Sequence, residues 1–399
     1  MNSGLIRRKK SGKYRGHAAN MAYIHRMNSG DWPMYIHEHP EWPQFTWNSE
    51  KLATRLADIR YRQGKLLGRM EALGFSMREE AVLETLTLDV LKSSEIEGEM
   101  LDSDQVRSSI ARRLVMEVAG VELVDQHVEG VVEMMLDATQ RYAQPLTDER
   151  LFGWQASLFP TGRSGMYKIT VGDWRTGKNG PMQVVSGAFG KEKVHFQAPD
   201  ASNVPDEMGA FLKWFNARQE IDPVLKSAIA HLWFVTIHPF EDGNGRIARA
   251  IADMQLARAD ETPQRFYSMS AQIRIERNAY YTILENTQKG DLDITPWLEW
   301  FLECLGRSLD KVEDTLKGVH RKARFWESLA GVELNHRQKL MLNRLVDGFD
   351  GKLSSSKWAK STKSSADTAL RDISDLMDKG ILIKEDAGGR STSYILREF

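Results

Sequence analysis

An apolar stretch at 229–237 runs into His238-Pro239-Phe240-Glu241-Asp242-Gly243-Asn244-Gly245-Arg246-Ile247-Ala248-Arg249, and an alanine-rich stretch follows at 250–257. The Gly-Asn-Gly turn therefore sits at the start of a helix. Unpaired backbone N–H groups and the positive end of the helix dipole gather there and favour an anion. Arg246 and Arg249 are three apart and share one face, so both guanidiniums reach the same polyphosphate. Asp242 supplies a hard oxygen suited to Mg²⁺ beside those phosphates. Each part has a plainer reading by itself: His238 as a core histidine closing an apolar helix, the arginines as a solvated face. Together, at this spacing, they read as a phosphate site with a built-in base.

Over these positions the chain resembles the Fic proteins, matching His-Pro-Phe-x-[Asp/Glu]-Gly-Asn-Gly-Arg-x-x-Arg at every fixed position. The resemblance implies a protein adenylyltransferase that moves AMP from ATP to a Ser, Thr or Tyr hydroxyl of a target protein or of itself. His238 would be the general base and Asp242 the ligand of the Mg²⁺ bridging the α- and β-phosphates. Asn244, with the Gly243 and Gly245 amides, would surround phosphate oxygens, and Arg246 and Arg249 would hold the β- and γ-phosphates. The residue types suit that chemistry independently. A hydroxyl needs a base titrating near neutrality, where unperturbed His lies at ~6.5. Charge building on departing pyrophosphate needs fixed cations and donors.

Ser93-Ser94-Glu95-Ile96-Glu97-Gly98 ends a helical pattern and is similar to the [Ser/Thr]-x-x-x-Glu-[Gly/Asn] inhibitory motif of many Fic proteins. The similarity implies that Glu97 pairs with Arg249 and fills the space of a productive γ-phosphate. Ser93 lies one turn earlier, and Gly98 supplies a permissive helix end. The plainer reading is an acidic helix terminus. A related alternative makes Glu97 the group that orients a water to remove AMP from a modified target.

Alternation around Gly187, Ala188, Phe189 and Gly190 predicts a hairpin over 182–196. In Fic proteins such a hairpin, the flap, pairs with the target backbone as an added strand, which would involve Met182, Val184, Val185, Val194 and His195. Relatives contact adenine through the second tyrosine of a pair and an asparagine seven positions later. Here these positions are Tyr281 and Gln288, so the amide is displaced by a methylene.

The predicted fold class is mainly α: a helical Fic core with a β-hairpin flap, a small N-terminal helical domain and a C-terminal winged helix. The expected divisions are a disordered basic leader over 1–33, the N-terminal domain carrying the inhibitory motif over 34–99, and the core over 100–310. A connecting helix or linker over 311–332 and the winged helix over 333–399 complete the chain. Residues 35–47 resemble the start of a small domain often fused to bacterial Fic cores. Within it His37 and His39 lack spaced partner ligands, which favours a structural use over metal. Lys357, Lys360, Lys363, Arg371 and Arg390 could meet DNA phosphates, whereas Asp367, Asp372, Asp375 and Asp378 load the presumed recognition helix with negative charge. Docking to protein, or pairing of two copies, competes with DNA as its role.

With 399 residues, 41% of them hydrophobic, and a net charge of −1, the chain is long enough for several cores and has no global field for nucleic acid or membrane. Cys304, the single cysteine, excludes an internal disulfide framework. No apolar run of about eighteen residues occurs, and a cytoplasmic enzyme without membrane partners is expected. The competing function is a winged-helix DNA-binding regulator with a non-catalytic Fic core.

Overall fold

The chain is mainly helical, and its strands are short. A computed structural model describes residues 15–16, 35–72, 75–116, 124–187, 191, 193–349, 351–385 and 392–397. Strand β1 (Arg15–Gly16) is followed by helices α1 (Ser49–Glu71), α2 (Phe75–Ile96), α3 (Ser103–Arg113), α4 (Gln126–Gln140) and α5 (Asp148–Leu158). Polar caps set several of these starts. Asn48 accepts from the Lys51 N–H at 3.1 Å, Asp125 from Val128 at 2.9 Å and Thr147 from Arg150 at 3.2 Å, each satisfying a first-turn donor. Two hairpins follow, β2 (Arg163–Ser164) with β3 (Tyr167–Lys168) and β4 (Gln183–Ser186) with β5 (Lys193–Gln197). Strand β1 pairs antiparallel with β4, placing Arg15 opposite Val185 and Gly16 opposite Val184.

The centre is built from α6 (Val204–Asn216), α7 (Pro223–Ile237), α8 (Asn244–Asp260), α9 (Met269–Ile275), α10 (Arg277–Gln288) and α11 (Thr295–Asp310). Helix α7 begins with an Asp222 cap and Pro223 in its first turn, and residues 224–237 are all buried. A helix apolar all round belongs at the middle of a core, and α8, nearly as buried, packs against it. One hydrophobic cluster extends from Ile36 to Val319. Helices α1 and α2 thus share their apolar packing with the residues after 100. Among the described residues, no helix is long and apolar enough to cross a membrane.

Helices α4 and α5 cross closely at Gly130, where a Cβ would lie 1.8 Å from the Ser157 carbonyl oxygen. No rotamer change relieves a clash with backbone, so Gly130→Ala must drive the helices apart. It is expected to lower stability by about 2 kcal/mol, seen as an earlier urea midpoint; an unchanged midpoint would contradict the close crossing. The crossing also places Leu158 and Phe159, at the end of α5, against the glycine turn described below.

Helix α12 (Val312–Ser328) has one end in each of two cores. Val312, Leu316 and Val319 belong to the main cluster, whereas Phe325 joins a second one with Met341, Trp358, Ile373 and Leu376. That second unit comprises α13 (His336–Gly348), α14 (Ser355–Ser361), α15 (Ala366–Asp378) and the antiparallel pair β6 (Leu382–Lys384) and β7 (Tyr394–Leu396). Between the cores, the buried Lys322 of α12 reaches Glu80 of α2 at 3.0 Å and Asp347 of α13 at 2.8 Å. Two of the acidic residues on α15 are engaged internally. Asp372 receives both ends of the Arg337 guanidinium, and Asp375 accepts from Gln338 and Lys379. The leader expected over 1–33, apart from Arg15 and Gly16, lies outside the described residues. So do the flap turn at 188–190 and Arg390 of the expected wing.

Candidate functional site

Helix α7 stops at His238, whose backbone is left-handed at φ +51°, ψ +56°. That conformation is uncommon for a residue with a Cβ, and it turns the chain into Pro239. The ring Nδ1 lies 3.2 Å from the Val235 carbonyl oxygen. A carbonyl can only accept, so the ring proton resides on Nδ1 and the Nε2 lone pair is left available. Burial, reinforced by the Arg175 guanidinium, lowers the imidazole pKa to about 4, against the opposing pull of the Val235 carbonyl and Glu97. The ring is therefore neutral at physiological pH. Arg175, which no motif in the sequence singles out, donates its Nε to the His238 carbonyl and its backbone N–H to the Pro239 carbonyl, both at 2.8 Å.

Gly243 has φ +90°, and a Cβ there would lie 3.0 Å from Phe159 Cε2 and 3.2 Å from Leu158 Cδ1. Both backbone conformation and available space call for glycine. Helix α8 begins at the next residue, so its first N–H groups lack acceptors within the helix. The Gly243 N–H donates to Asp242 Oδ1 at 2.6 Å, and the Ser164 hydroxyl donates to Oδ2. The Asn244 side chain is engaged within the loop. Its buried side chain accepts from the Phe240 N–H at 3.0 Å and donates to the Phe240 carbonyl at 2.8 Å. An amide satisfies two buried backbone groups of the loop at once in this way, and Asn244 braces the turn from within.

The Arg249 side chain, 2% exposed, ties α8 to the end of α2. Its Nε donates to Ser93 Oγ at 3.0 Å, and its Nη2 donates to the Ser93 carbonyl at 2.9 Å and to Glu97 Oε1 at 2.8 Å. A Cβ on Gly245 would lie 2.3 Å from that Glu97 oxygen. The carboxylate thus rests on the bare face of Gly245. Farther back, Asp89 fastens α2 by accepting from the Ser268 hydroxyl at 2.6 Å and the Ser270 N–H at 3.2 Å. Arg246 also meets a carboxylate, Glu99 Oε2 at 2.7 Å, a partner that the sequence reading did not single out.

His238, Asp242, Gly243, Asn244, Gly245, Glu97, Tyr281, Gln288, Val184 and His195 line one cavity. Arg246 and Arg249 lie behind the two glutamates that hold them. Gly98 lies beyond the end of α2 in a left-handed turn, with φ +85°. The predicted hairpin is present and contains a bulge. Val184 pairs with Phe196 and Val185 with Val194, so β5 carries one extra residue, His195, where the register shifts. Such an extra residue re-aims its side chain. The His195 ring lies 2.5 Å from both Ser186 Oγ and Glu285 Oε2, which links β5 to α10. Met182 packs instead beside Tyr35, Phe196 and Ala198. On α10, the Tyr281 hydroxyl is 3.5 Å from the Ile96 carbonyl oxygen, and buried Gln288 donates to Thr236 Oγ1 at 3.2 Å. His37 packs edge-on to Phe196, with its pKa lowered to about 4 by burial. No group of three potential metal-binding residues gathers among the described residues.

Residues 145–256 match the family described as Fic/DOC, and residues 35–116 match one described as a domain of unknown function (DUF4172). Two curated relatives are named Protein adenylyltransferase Fic. That of Culex quinquefasciatus is 27% identical over 250 residues, covering 61% of this chain and 45% of the relative. That of Aedes aegypti is 26% identical over 238 residues, covering 58% and 42%. The chain therefore spans less than half the length of these relatives. A crystal structure of a Fic family protein from Desulfovibrio desulfuricans G20 aligns with a TM-score of 0.48 at 20% identity, covering 86% of this chain and 96% of that one. The complete 238–249 run thus lies inside a segment, 145–256, that matches the Fic/DOC family.

Proposed function

We propose that the chain is a protein adenylyltransferase that moves AMP from ATP to a hydroxyl and is held back by the Glu97–Arg249 pair. The observation that carries this reading is a neutral imidazole, with Nε2 available, beside a helix N-terminus and two buried arginines. His238 would take the proton of an incoming alcohol as its oxygen attacks the α-phosphorus. The Gly245 amide and its neighbours at the start of α8 would receive phosphate oxygens. Arg246 and Arg249, once released, would stabilise the charge that collects on the leaving pyrophosphate.

The residues fit Mg²⁺ as a companion of the nucleotide rather than as a resident ion. Asp242 contributes one carboxylate, and Mg²⁺ takes one or two carboxylates together with phosphate oxygens and waters. When bound, the ion would neutralise bridging phosphate charge.

The hairpin is suited to hold an acceptor segment by strand addition. Arg15–Gly16 of this same chain already pairs with Val184 and Val185, which supports the use of that edge for backbone pairing and makes self-modification a natural reaction. Tyr281 and Gln288 are the residues we assign to the adenine. The α13–α14–α15–β6–β7 order supports a winged-helix reading, and we assign this unit to locating a partner, protein or DNA, in the cytoplasm.

Intact-mass measurement of the Glu97→Gly protein with Mg²⁺ and, in turn, ATP, GTP, UTP or a CDP-alcohol tests the reading. A gain of one AMP from ATP alone is expected. No adduct from any donor, together with a gel shift on genomic DNA fragments, would favour the non-catalytic regulator instead.

A further inference from the structure

Helix α2 ends in a paired turn. Gly98, left-handed at φ +85°, donates its N–H to the Glu95 carbonyl, and Glu99 donates its N–H to the Ser94 carbonyl, both at 3.0 Å. This is the arrangement in which a glycine just past the helix lets the following residue close back on the last turn. Its effect is to bring the residues on either side of Gly98 to the same neighbour. Glu97 reaches Arg249, and Glu99 reaches Arg246 at 2.7 Å.

The second contact is as specific as the first. The Arg246 side chain is 2% exposed and its guanidinium lies over the Phe159 ring, 5.1 Å from the centroid. Its Nε meets no acceptor among the described residues, which leaves the Glu99 carboxylate as the anion facing it. A buried guanidinium needs such a partner, or a phosphate in its place. Glu99 is itself 38% exposed and can leave for water, where a carboxylate is well solvated. His127, from the first turn of α4, lies 3.4 Å from the same Glu99 oxygen, and its pKa is raised by the hydrogen bond to that carboxylate.

We propose that Glu99 is a second competitor for the donor's polyphosphate, occupying Arg246 as Glu97 occupies Arg249. The inference rests on the assignment of both arginines to the polyphosphate. Each glutamate mimics one phosphate anion, and one turn about Gly98 presents both. Removing Glu97 alone therefore leaves half of the phosphate-binding pair engaged. It also follows that the ligand displacing both carboxylates is an extended polyphosphate: a nucleoside triphosphate spans two arginines, whereas a monophosphate faces only one.

The test uses full-length Glu97→Gly and Glu97→Gly/Glu99→Gln proteins. Isothermal titration gives Kd for Mg·ATP, and single-substrate kinetics of automodification give KM and kcat. The second substitution is expected to tighten Kd and lower KM about five-fold with kcat unchanged. Glu97→Gly/Glu99→Asp, which retains the charge, should bind like Glu97→Gly. Unchanged affinity in the Gln double variant, with the melting temperature preserved, overturns the proposal, and so does weaker binding, which would make Glu99 a support for Arg246. If Glu97→Gly itself binds no Mg·ATP, the assignment of the site fails and this inference fails with it. If it binds and Glu99→Gln adds nothing, only the inference fails.

Discussion

Replacing His238 with alanine in the Glu97→Gly background is expected to reduce AMP transfer from labelled ATP about 10³-fold while leaving the Kd for Mg·ATP within two-fold. The cause is positional. His238 closes α7 in a left-handed turn, its Nδ1 is committed to the Val235 carbonyl, and Arg175 holds its carbonyl from the other side. The ring therefore offers one basic nitrogen in a fixed orientation, which alanine cannot supply. The same environment makes a pH prediction. Burial and Arg175 lower the pKa to about 4, so the ring remains neutral, and basic, above that value. Free-enzyme kcat/KM should accordingly lack the fall through about pH 6.5 that an unperturbed histidine imposes, and should decline only as pH approaches 4. Transfer that survives in His238→Ala would remove the imidazole from the mechanism. An acid limb near the ordinary histidine value would show that the site does not exclude the imidazolium.

Substituting glycine for Glu97 is expected to tighten Mg·ATP binding at least ten-fold, about 1.4 kcal/mol, and to raise automodification in parallel. The Glu97 carboxylate accepts from Arg249 and rests where a Gly245 side chain would have been, so a phosphate approaching the start of α8 meets both its charge and its bulk. Deleting the side chain removes both obstacles. Ser93 still engages Arg249, so the guanidinium stays in place. Equal labelling of wild type and variant would remove the competition argument. A separate outcome identifies the reverse activity: AMP installed on the protein beforehand would be lost from the wild type and retained by Glu97→Gly. In that case Glu97 orients a water.

The features legible in the sequence are those written in consecutive residues. His238 to Arg249 is a helix end, a turn and a helix start, and the chemistry of each follows from local backbone rules that hold in any surroundings. The flap hairpin and α15 are legible for the same reason, through alternation and helical periodicity. Pairings across the chain are different. Glu97 and Arg249 are 152 positions apart, and only the family pattern connects them. Nothing connects Arg175 with His238, Ser164 with Asp242 or Glu99 with Arg246, because no spacing rule relates side chains brought together by packing. Asn244 shows the opposite difficulty. Its position within the motif invites a phosphate contact and gives no sign that burial of the loop also engages its amide with Phe240. His195 turns on a bulge, a one-residue surplus that alternation by itself does not reveal.

Helix α12 acts as a spindle shared by two bodies. Lys322 is seated in its middle and grips a carboxylate on either side, Glu80 of α2 and Asp347 of α13. From Glu80 to Glu97 is roughly 25 Å along a single helix, and closely packed interiors transmit displacement rather than absorb it. A displacement of the C-terminal unit would thus reach, through Lys322 and α2, the helix end that sets Glu97 against Arg249.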